Sequence, residues 1–478
     1  MSFSSVIYLL SRMEGSFMNG QTSTSLEVKQ KHPAALYGLG LTFTFERFAY
    51  YGGKPILVFF LIYAIAQGGL GISKTQATVM AANLGAFTYL APIFGGIVAD
   101  RWLGPRYCVI LGTIIMSMGW GIGYFATSAA WINALIVVVS IGTGLFKGNI
   151  NTMVGELYEK DDPRKDMAYS ITYSFVNGGA FVGSLTMATA YMYIFEKKDA
   201  AGKILIYGFR QSYLLAAVVC LLSLFTFLIA CRNLGDAGKK PNCLDNLNNK
   251  EAQKVDYSKP LTKKEKNQVI VILILSIFSI FFWLFYNQAE TSLLLYINEY
   301  TNFNVGGFNV PPTWTTTSFN GLLCVVLAAP MAAIWAAITK KRNGVDFTMT
   351  QKIALGYIFL AVGFLVMVGA EFARGGREGA NSSILWILMF TLMQTIGELC
   401  FSPLGTSVVS RTAPAKYLSL LMGVWFLATF VAQKGSGYIE AFITKFGTIQ
   451  VFILIPSILL VGAVILFVFN KKITELTK

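Results

Sequence analysis

Ionisable side chains stand inside stretches of the chain that are otherwise apolar. An ionisable group at bilayer depth is costly unless it faces water or a partner, so such residues mark ion or solute pathways. Any of them could instead lie nearer a membrane interface and extend its charge into water. The residues concerned are Glu46, Arg47, Lys54, Lys147, Glu290, Glu398 and Lys434.

Two predicted helices each carry a polar face. At about 100° per residue, the polar residues of the first predicted helix share an arc of about 140°. They are Glu46, Arg47, Tyr50, Tyr51 and Lys54. In a later helix, Gln394, Glu398 and Ser402 follow one another at i, i+4 and i+8. If both faces line one cavity, Arg47 and Lys147 hold a carboxylate while Glu398 holds an ammonium, which suits a zwitterionic solute.

The elements that position these residues are expected to be membrane-spanning helices. Of the 478 residues, 55% are hydrophobic and 13% are charged, whereas about a quarter of residues are charged in typical soluble domains. Several apolar runs reach the roughly 20 residues that a helix needs to cross about 30 Å of hydrocarbon. The net charge of +14 is assigned to Lys and Arg in loops rather than to nucleic-acid binding. The fold class is therefore an all-α membrane protein that spans a lipid bilayer.

Other chemistries find little support in the sequence. The six cysteines are scattered without metal-ligand spacing, and His32 is the single histidine. A multi-histidine metal site and histidine-based catalysis are therefore excluded. No nucleophile with a base at suitable spacing and no repeated selectivity filter is apparent. We expect neither an enzyme nor a channel, and no resident cofactor.

Twelve predicted spans fall into two halves on either side of a polar linker at 232–267. Residues 1–34 are a leading cytoplasmic segment, in which Met13 or Met18 could equally be the start, and 471–478 are a tail. The N-terminal bundle is 35–231 and the C-terminal bundle is 268–470. The spans are placed at 35–66, 76–99, 106–126, 131–153, 168–193, 210–231, 268–297, 314–338, 351–372, 384–409, 416–443 and 449–470.

The orientation follows from the basic residues, because Lys and Arg near helix ends are retained on the cytoplasmic side. Arg101, Arg106 and the many lysines of the linker lie on the same side as both termini. We therefore predict a multi-pass plasma-membrane protein with both termini cytoplasmic.

Several motifs then resemble one known family. Phe45 through Gly52 (FERFAYYG) resembles the first-helix signature of the proton-dependent oligopeptide transporters, the POT family, a branch of the major facilitator superfamily. Further segments resemble the same family in the correct order between about residue 33 and residue 445. They are Gly95 to Arg101 with Gly104 and Arg106, Gly142 to Lys147 with Asn149, Tyr173 to Gly179, Gly397 to Pro403, and Met422 to Thr429.

The resemblance implies two six-helix bundles around a central site that opens alternately to either side. It implies that di- and tripeptides are imported together with protons, which act as the coupling ion, by a protein that functions as a monomer. It assigns the peptide carboxylate to Arg47 and Lys147, and the ammonium to Glu398. The remaining assignments are Tyr50, Tyr51 and Lys54 beside the carboxylate, Asn177 and Asn320 beside the ammonium, Trp425 and Thr429 in a side-chain pocket, and Asp100, Arg101 and Arg106 in gating.

Two departures from the family pattern bear on proton coupling. Phe43 stands where the signature begins with a glutamate, and Asn287 stands where relatives place an acid before the glutamine. The arginine of the first helix therefore lacks its usual counter-ion. Coupling is assigned to Glu46, Glu290 or Glu398, since it requires a carboxylate whose proton affinity changes between states.

Two alternatives stay open. One is a peptide facilitator without tight proton coupling. The other is a major facilitator transporter for a different zwitterionic solute, such as an amino acid.

Overall fold

The computed structural model describes residues 31–159, 162–200, 202–241, 260–375, 380–401 and 405–477. Several predicted features lie outside these residues: most of the leading segment, the central part of the linker, and Ser402 of the polar stripe. Residues 31–33 form neither helix nor strand. Ala34–Lys478 forms one compact unit.

The first half of this unit contains six long helices. They are α1 Ala34–Ile62, α2 Lys74–Val98, α3 Pro105–Phe125, α4 Ala129–Glu156, α5 Arg164–Thr189 and α6 Phe209–Ala230. Two of them continue as a π-helical turn, α2 at Ala99–Leu103 and α5 at Ala190–Ile194. Short 3-10 turns occupy Ile65–Gln67 and Cys231–Asn233. A small antiparallel pair of strands, β1 Lys197–Lys198 and β2 Ile204–Ile206, joins α5 to α6.

The second half also provides six spans, some of which consist of more than one segment. The helices are α7 Lys263–Tyr286, α8 Ser292–Tyr300, α9 Phe319–Lys341, α10 Met349–Arg374, α11 Ile384–Phe401, α12 Gly405–Thr412, α13 Leu418–Ser436, α14 Ile439–Phe446, α15 Thr448–Val468 and α16 Asn470–Thr477. A π-helical turn at Trp314–Ser318 leads directly into α9, and 3-10 turns occupy Asn287–Glu290 and Ala415–Tyr417. Four further pairs of residues form short strands: β3 Thr301–Asn302 is parallel to β6 Ser382–Ser383, and β4 Asn304–Val305 is antiparallel to β5 Phe308–Asn309.

Ten helical segments of the described part are both long enough and apolar enough to cross a membrane. The helices α1 and α5, of 29 and 26 residues, exceed the roughly 20 residues needed for a span. Neither is among the ten, because α1 carries the three charged residues Glu46, Arg47 and Lys54 and α5 is rich in Ser, Thr and Gly. With them the fold has twelve transmembrane helices in two six-helix bundles, as predicted.

The predicted boundaries agree with the helices to within a few residues, with three corrections. The linker ends before Lys263 rather than at residue 267, because Thr262 and Glu265 form a capping box that starts α7. The predicted spans at 268–297 and 416–443 are each interrupted, at Asn287–Glu290 and after Ser436. The predicted tail contains the short helix α16, which was not predicted from the sequence.

The two halves are joined mainly by α2 packing against α13 and by α5 packing against the π-turn and α9. Polar and aromatic side chains pair along both seams. The pairs are Thr78 with the Gly437 carbonyl at 2.9 Å, Lys434 with Asn83 at 2.8 Å, Phe87 with Phe430 at 5.8 Å between ring centres, Ser184 with Ser318 at 2.9 Å, and Trp314 with the Leu185 carbonyl at 3.1 Å.

These contacts share one end of the molecule. Consecutive spans run in opposite directions, so the residues concerned lie toward the side opposite the linker. An ion pair between Lys74 and Glu299 lies at the same end. Toward the linker, by contrast, Phe94 of α2 and Tyr173 of α5 are 61% and 54% exposed. The described structure is therefore closed between the halves on the side opposite the linker.

Candidate functional site

A cavity of about 300 Å³ lies between the two halves. Its size falls at the lower end of the roughly 300–1,000 Å³ that is typical of small-molecule sites. Polar side chains from both halves line it. They are the aromatic residues Tyr50, Tyr51, Tyr89, Tyr173, Trp283 and Tyr286, the amides Asn177, Asn287, Asn320, Gln394 and Gln433, and the charged residues Lys54, Glu290 and Glu398.

One ion pair crosses the cavity from one half to the other. The Nζ atom of Lys54 on α1 lies 2.5 Å from Oε2 of Glu290, in the 3-10 turn that ends α7. The side chains are 8% and 18% exposed, so water screens this pair only partly. Glu290 thus supplies an acid close to Asn287, the position at which the family acid is missing. Asn287 is itself occupied, because its Oδ1 accepts a hydrogen bond from Nε2 of Gln433 at 3.0 Å.

A second carboxylate, that of Glu398 on α11, is held differently. Its Oε2 atom accepts hydrogen bonds from the Tyr286 hydroxyl at 2.6 Å and from Nδ2 of Asn320 at 3.0 Å. The Cys324 thiol adds a longer contact at 3.5 Å. These donors are neutral and belong to the same half as Glu398. The described hydrogen bonds therefore orient the carboxylate without neutralising its charge, and Asn320 lies beside Glu398 as the sequence predicted.

The first helix buries a further ion pair behind the cavity. Arg47 binds Glu46 through two parallel contacts, one of them from Nη2 to Oε1 at 2.6 Å. Both residues are less than 5% exposed, and neither belongs to the cavity lining. Arg47 was expected to lack its usual counter-ion, and Glu46 of the same helix takes that place. At the position of the missing glutamate, Phe43 packs edge-to-face on Phe146, with ring centres 5.7 Å apart.

Some predicted site residues lie near the cavity but do not line it. The ammonium of Lys147 lies 4.2 Å from the centre of the Tyr89 ring, and Tyr89 does line the cavity. Trp425 and Thr429 are 5% and 7% exposed and are joined by a hydrogen bond from the threonine hydroxyl to the Trp425 carbonyl. The cavity lining includes none of the three. Their predicted contacts with substrate stay predictions.

A model of the POT family matches residues 56–250 and 237–458 of this sequence. The chain belongs to the POT family. It is 30% identical to a protein named uncharacterized transporter YclF from Bacillus subtilis (strain 168), over 87% of this chain and 91% of that one. It is 29% identical to the peptide transporter YePEPT from Yersinia enterocolitica, over 85% and 87%. A crystal structure of peptide transporter POT in complex with sulfate superposes with a TM-score of 0.81 at 28% identity, covering 95% of this chain and 98% of that one. This chain is therefore a multi-pass membrane protein of a transporter family.

In this POT-family chain, the residues predicted to act in gating occupy the linker side. Asp100 and Arg101 lie in the π-turn that follows α2. Arg106 donates from Nη2 to the Gly235 and Ala237 carbonyls at 3.0 and 2.7 Å. These contacts attach the start of the linker to the first half. The gating role of all three residues stays a prediction.

The sequence did not single out several residues that the POT fold brings to the cavity. Tyr89, Trp283, Tyr286 and Gln433 line it, as do two threonines of the π-turn. Aromatic residues in an apolar run are indistinguishable from core residues until the helix orientation is known. For Tyr286, the sequence offered one signal of a place in the site: it lies one helical turn before Glu290.

Proposed function

We propose that this protein imports di- and tripeptides across the plasma membrane by alternating access, driven by an inward proton gradient. Its relative from Yersinia enterocolitica is named a peptide transporter. The observation that carries the proposal is the cavity between the halves, which contains Lys54 from one half and the carboxylate of Glu398 from the other. A zwitterion with separated charges complements this pair of groups.

In the proposed complex, the peptide ammonium binds Glu398, beside Asn320 and Asn177. The neutral donors leave room for a cation at this carboxylate, so an incoming ammonium would gain a charge-assisted contact. The peptide carboxylate binds near Lys54, with Tyr50 and Tyr51 beside it. Arg47, paired with Glu46, and Lys147, against the Tyr89 ring, lie behind this wall.

Proton coupling is assigned to Glu290. While Glu290 is ionised, its pair with Lys54 joins the two halves on the closed side. A proton on Glu290 removes the attraction and frees the lysine for the peptide carboxylate. Protonation thereby favours both opening toward the side opposite the linker and binding of substrate, which is the linkage that a symporter requires.

A facilitator without tight coupling is the second candidate. Phe43 packs against Phe146 where a titratable group would otherwise stand, and Asn287 is paired with Gln433. Both positions have therefore lost a carboxylate and gained a neutral contact. In this case the Lys54 to Glu290 pair closes one side of the protein but does not take up a transported proton.

The membrane arrangement forms part of the proposal. The basic residues Arg101, Arg106 and Lys239 lie on the linker side, so this side and both termini are placed in the cytoplasm. We propose that the monomer is the functional unit, that no cofactor other than the transported proton is needed, and that no covalent reaction is catalysed.

Uptake of labelled dialanine into proteoliposomes, with and without an inward proton gradient, tests these proposals. Accumulation only with the gradient supports the symporter, whereas equilibration at equal rates in both conditions supports the facilitator. No uptake in either condition overturns peptide transport. N-acetylated and amidated dialanine, which each lack one terminal charge, should compete at least about tenfold more weakly, equivalent to about 1.4 kcal/mol.

A further inference from the structure

The eighth span begins with a π-helical turn, Trp314–Ser318, that packs directly on α5. Two hydrogen bonds hold it there. The indole Nε1 of Trp314 donates to the Leu185 carbonyl at 3.1 Å, and the hydroxyls of Ser318 and Ser184 lie 2.9 Å apart. Single π-helical turns of this kind occur frequently at functional sites.

Two threonines of this turn have hydroxyls with no hydrogen-bond partner among the described residues. Thr316 is 1% exposed, and the Oγ1 atoms of both Thr316 and Thr317 are buried. Both residues line the cavity. A buried hydroxyl that makes no hydrogen bond costs free energy. A bound solute with a suitable polar group would remove this cost.

Other threonines of the transmembrane helices show the partner that Thr316 and Thr317 lack. The hydroxyls of Thr113, Thr172 and Thr395 each donate to the carbonyl four residues earlier, at 2.7 to 2.9 Å. A π-helical turn instead pairs residues five apart, which moves that carbonyl away from the hydroxyl. The donor and the acceptor of the Thr316 hydroxyl are thus both unused in this state, and a rotation of the side chain toward the cavity would offer them to a ligand.

The position of Thr316 relative to Glu398 indicates which group it would meet. Thr316, Asn320 and Cys324 follow at i, i+4 and i+8 and all line the cavity, and the latter two contact Glu398. Four residues correspond to about 6 Å along a helix. The free hydroxyls thus lie about that distance beyond the carboxylate, toward the closed side. In a peptide whose ammonium binds Glu398, the group that directly follows the first α-carbon is the peptide group.

We propose that Thr316, with Thr317 beside it, forms a subsite that hydrogen-bonds the peptide group of the bound substrate. This inference rests on the proposed peptide transport. The subsite selects peptides over zwitterions that carry the same terminal charges without an amide, because such solutes leave the hydroxyls unpaired. It supplies a specificity that the charged groups of the cavity do not provide.

The test uses valine, which matches threonine in shape but lacks the hydroxyl. Thr316→Val and Thr317→Val are compared with Thr315→Val, a matched control in the same turn. The Thr315 hydroxyl already donates to the Pro312 carbonyl at 2.7 Å, and Thr315 does not line the cavity. Dialanine uptake is measured in proteoliposomes, together with inhibition by δ-aminovalerate, in which methylenes alone join the ammonium to the carboxylate.

We expect Thr316→Val to raise the KM for dialanine about three- to tenfold, the range for loss of one hydrogen bond, and Thr317→Val to raise it less. Thr315→Val should stay close to wild type. The inhibition constant of δ-aminovalerate should be the same in all proteins; if it inhibits none, the KM values for dialanine decide.

Equal KM values for Thr316→Val and Thr315→Val would overturn the subsite, as would an equal loss of affinity for both solutes in Thr316→Val. If wild-type protein fails to take up dialanine, the proposed function fails and the subsite proposal with it. If wild-type protein takes up dialanine but Thr316→Val and Thr315→Val have the same KM, the subsite proposal alone is overturned.

Discussion

The two carboxylates of the cavity have opposite kinds of partner. Glu290 pairs with Lys54, a cation from the other half of the protein. Glu398 accepts hydrogen bonds from Tyr286 and Asn320, neutral donors from its own half. An ion pair across a moving interface must break when the halves separate, whereas contacts within one half can persist. This comparison supports the proposal that Glu290 acts in conformational change and Glu398 in ligand binding.

The comparison also explains how a zwitterion can meet both charges. The hydrogen bonds to Glu398 position its charge and leave it available to a cation. The charge of Lys54 is offset by Glu290 in this state and becomes available once that pair is broken. Binding at one carboxylate can therefore be linked to the state of the other through the substrate itself.

The largest effect is expected from Glu398→Gln, which removes the charge but keeps the shape. Loss of a buried charge pair costs about 2–5 kcal/mol, so dialanine uptake at subsaturating concentration should fall at least about thirtyfold. Uptake kinetics in proteoliposomes measure this. N-acetylated dialanine, which has no ammonium, should bind wild type and the variant equally weakly. An unchanged KM for dialanine in the variant would contradict the proposal that the peptide ammonium binds Glu398.

The next largest effect is expected from Glu290→Gln, which leaves Lys54 without its partner across the interface. Breaking a fully buried pair costs about 3–5 kcal/mol; Glu290 is 18% exposed, so we expect about 2 kcal/mol and a loss of closure on that side. Gradient-driven accumulation should fall more than tenfold, while exchange of labelled for unlabelled peptide should fall less.

A double variant provides the control for this pair. Lys54→Gln together with Glu290→Gln removes both charges and should recover closure, reported by restored protection of a cysteine introduced at the closed end, without restoring accumulation. Glu46→Gln tests the other candidate carboxylate. Full accumulation in both Glu290→Gln and Glu46→Gln would refute the assignment of coupling to these residues.

A smaller effect is expected from Tyr286→Phe, which removes one donor to Glu398. Hydrogen bonds to charged groups contribute about 1.5–3 kcal/mol, but Asn320 remains as a second donor. We therefore expect the KM for dialanine to rise about tenfold with little change in proton dependence. A changed pH profile with an unchanged KM would show that Tyr286 acts on coupling instead.

The smallest effect is expected from Asn83→Ala, which removes the acceptor for Lys434 at the seam between α2 and α13. Lys434 also lies 5.6 Å from the centre of the Phe87 ring, so one of its two contacts survives. We expect the rate of accumulation to change about twofold, within the range for a single partly exposed contact. A tenfold or larger change would show that this seam, rather than the Lys54 to Glu290 pair, dominates closure.

The twelve spans, their division into two halves and most of their boundaries could be predicted from sequence. Hydrophobic length is a local property, and a helix in lipid must satisfy its own backbone. The interruption of the seventh span at Asn287–Glu290 was not predictable in this way, because the turn lies within an apolar run. The start of α7 was misplaced because the capping box precedes the apolar run.

The sequence by itself also indicated which ionisable residues belong to the predicted spans, since each of them interrupts an apolar run. Only the tertiary structure decided how they pair. Arg47 binds its neighbour Glu46, Lys54 binds Glu290 from the other half, and Glu398 receives neutral donors. The sequence likewise did not predict that Thr316 lies in a π-helical turn with an unpaired hydroxyl. The physical reason is that burial in a span depends on nearby residues, whereas the choice of a partner depends on distances of a few ångström between helices far apart in the chain.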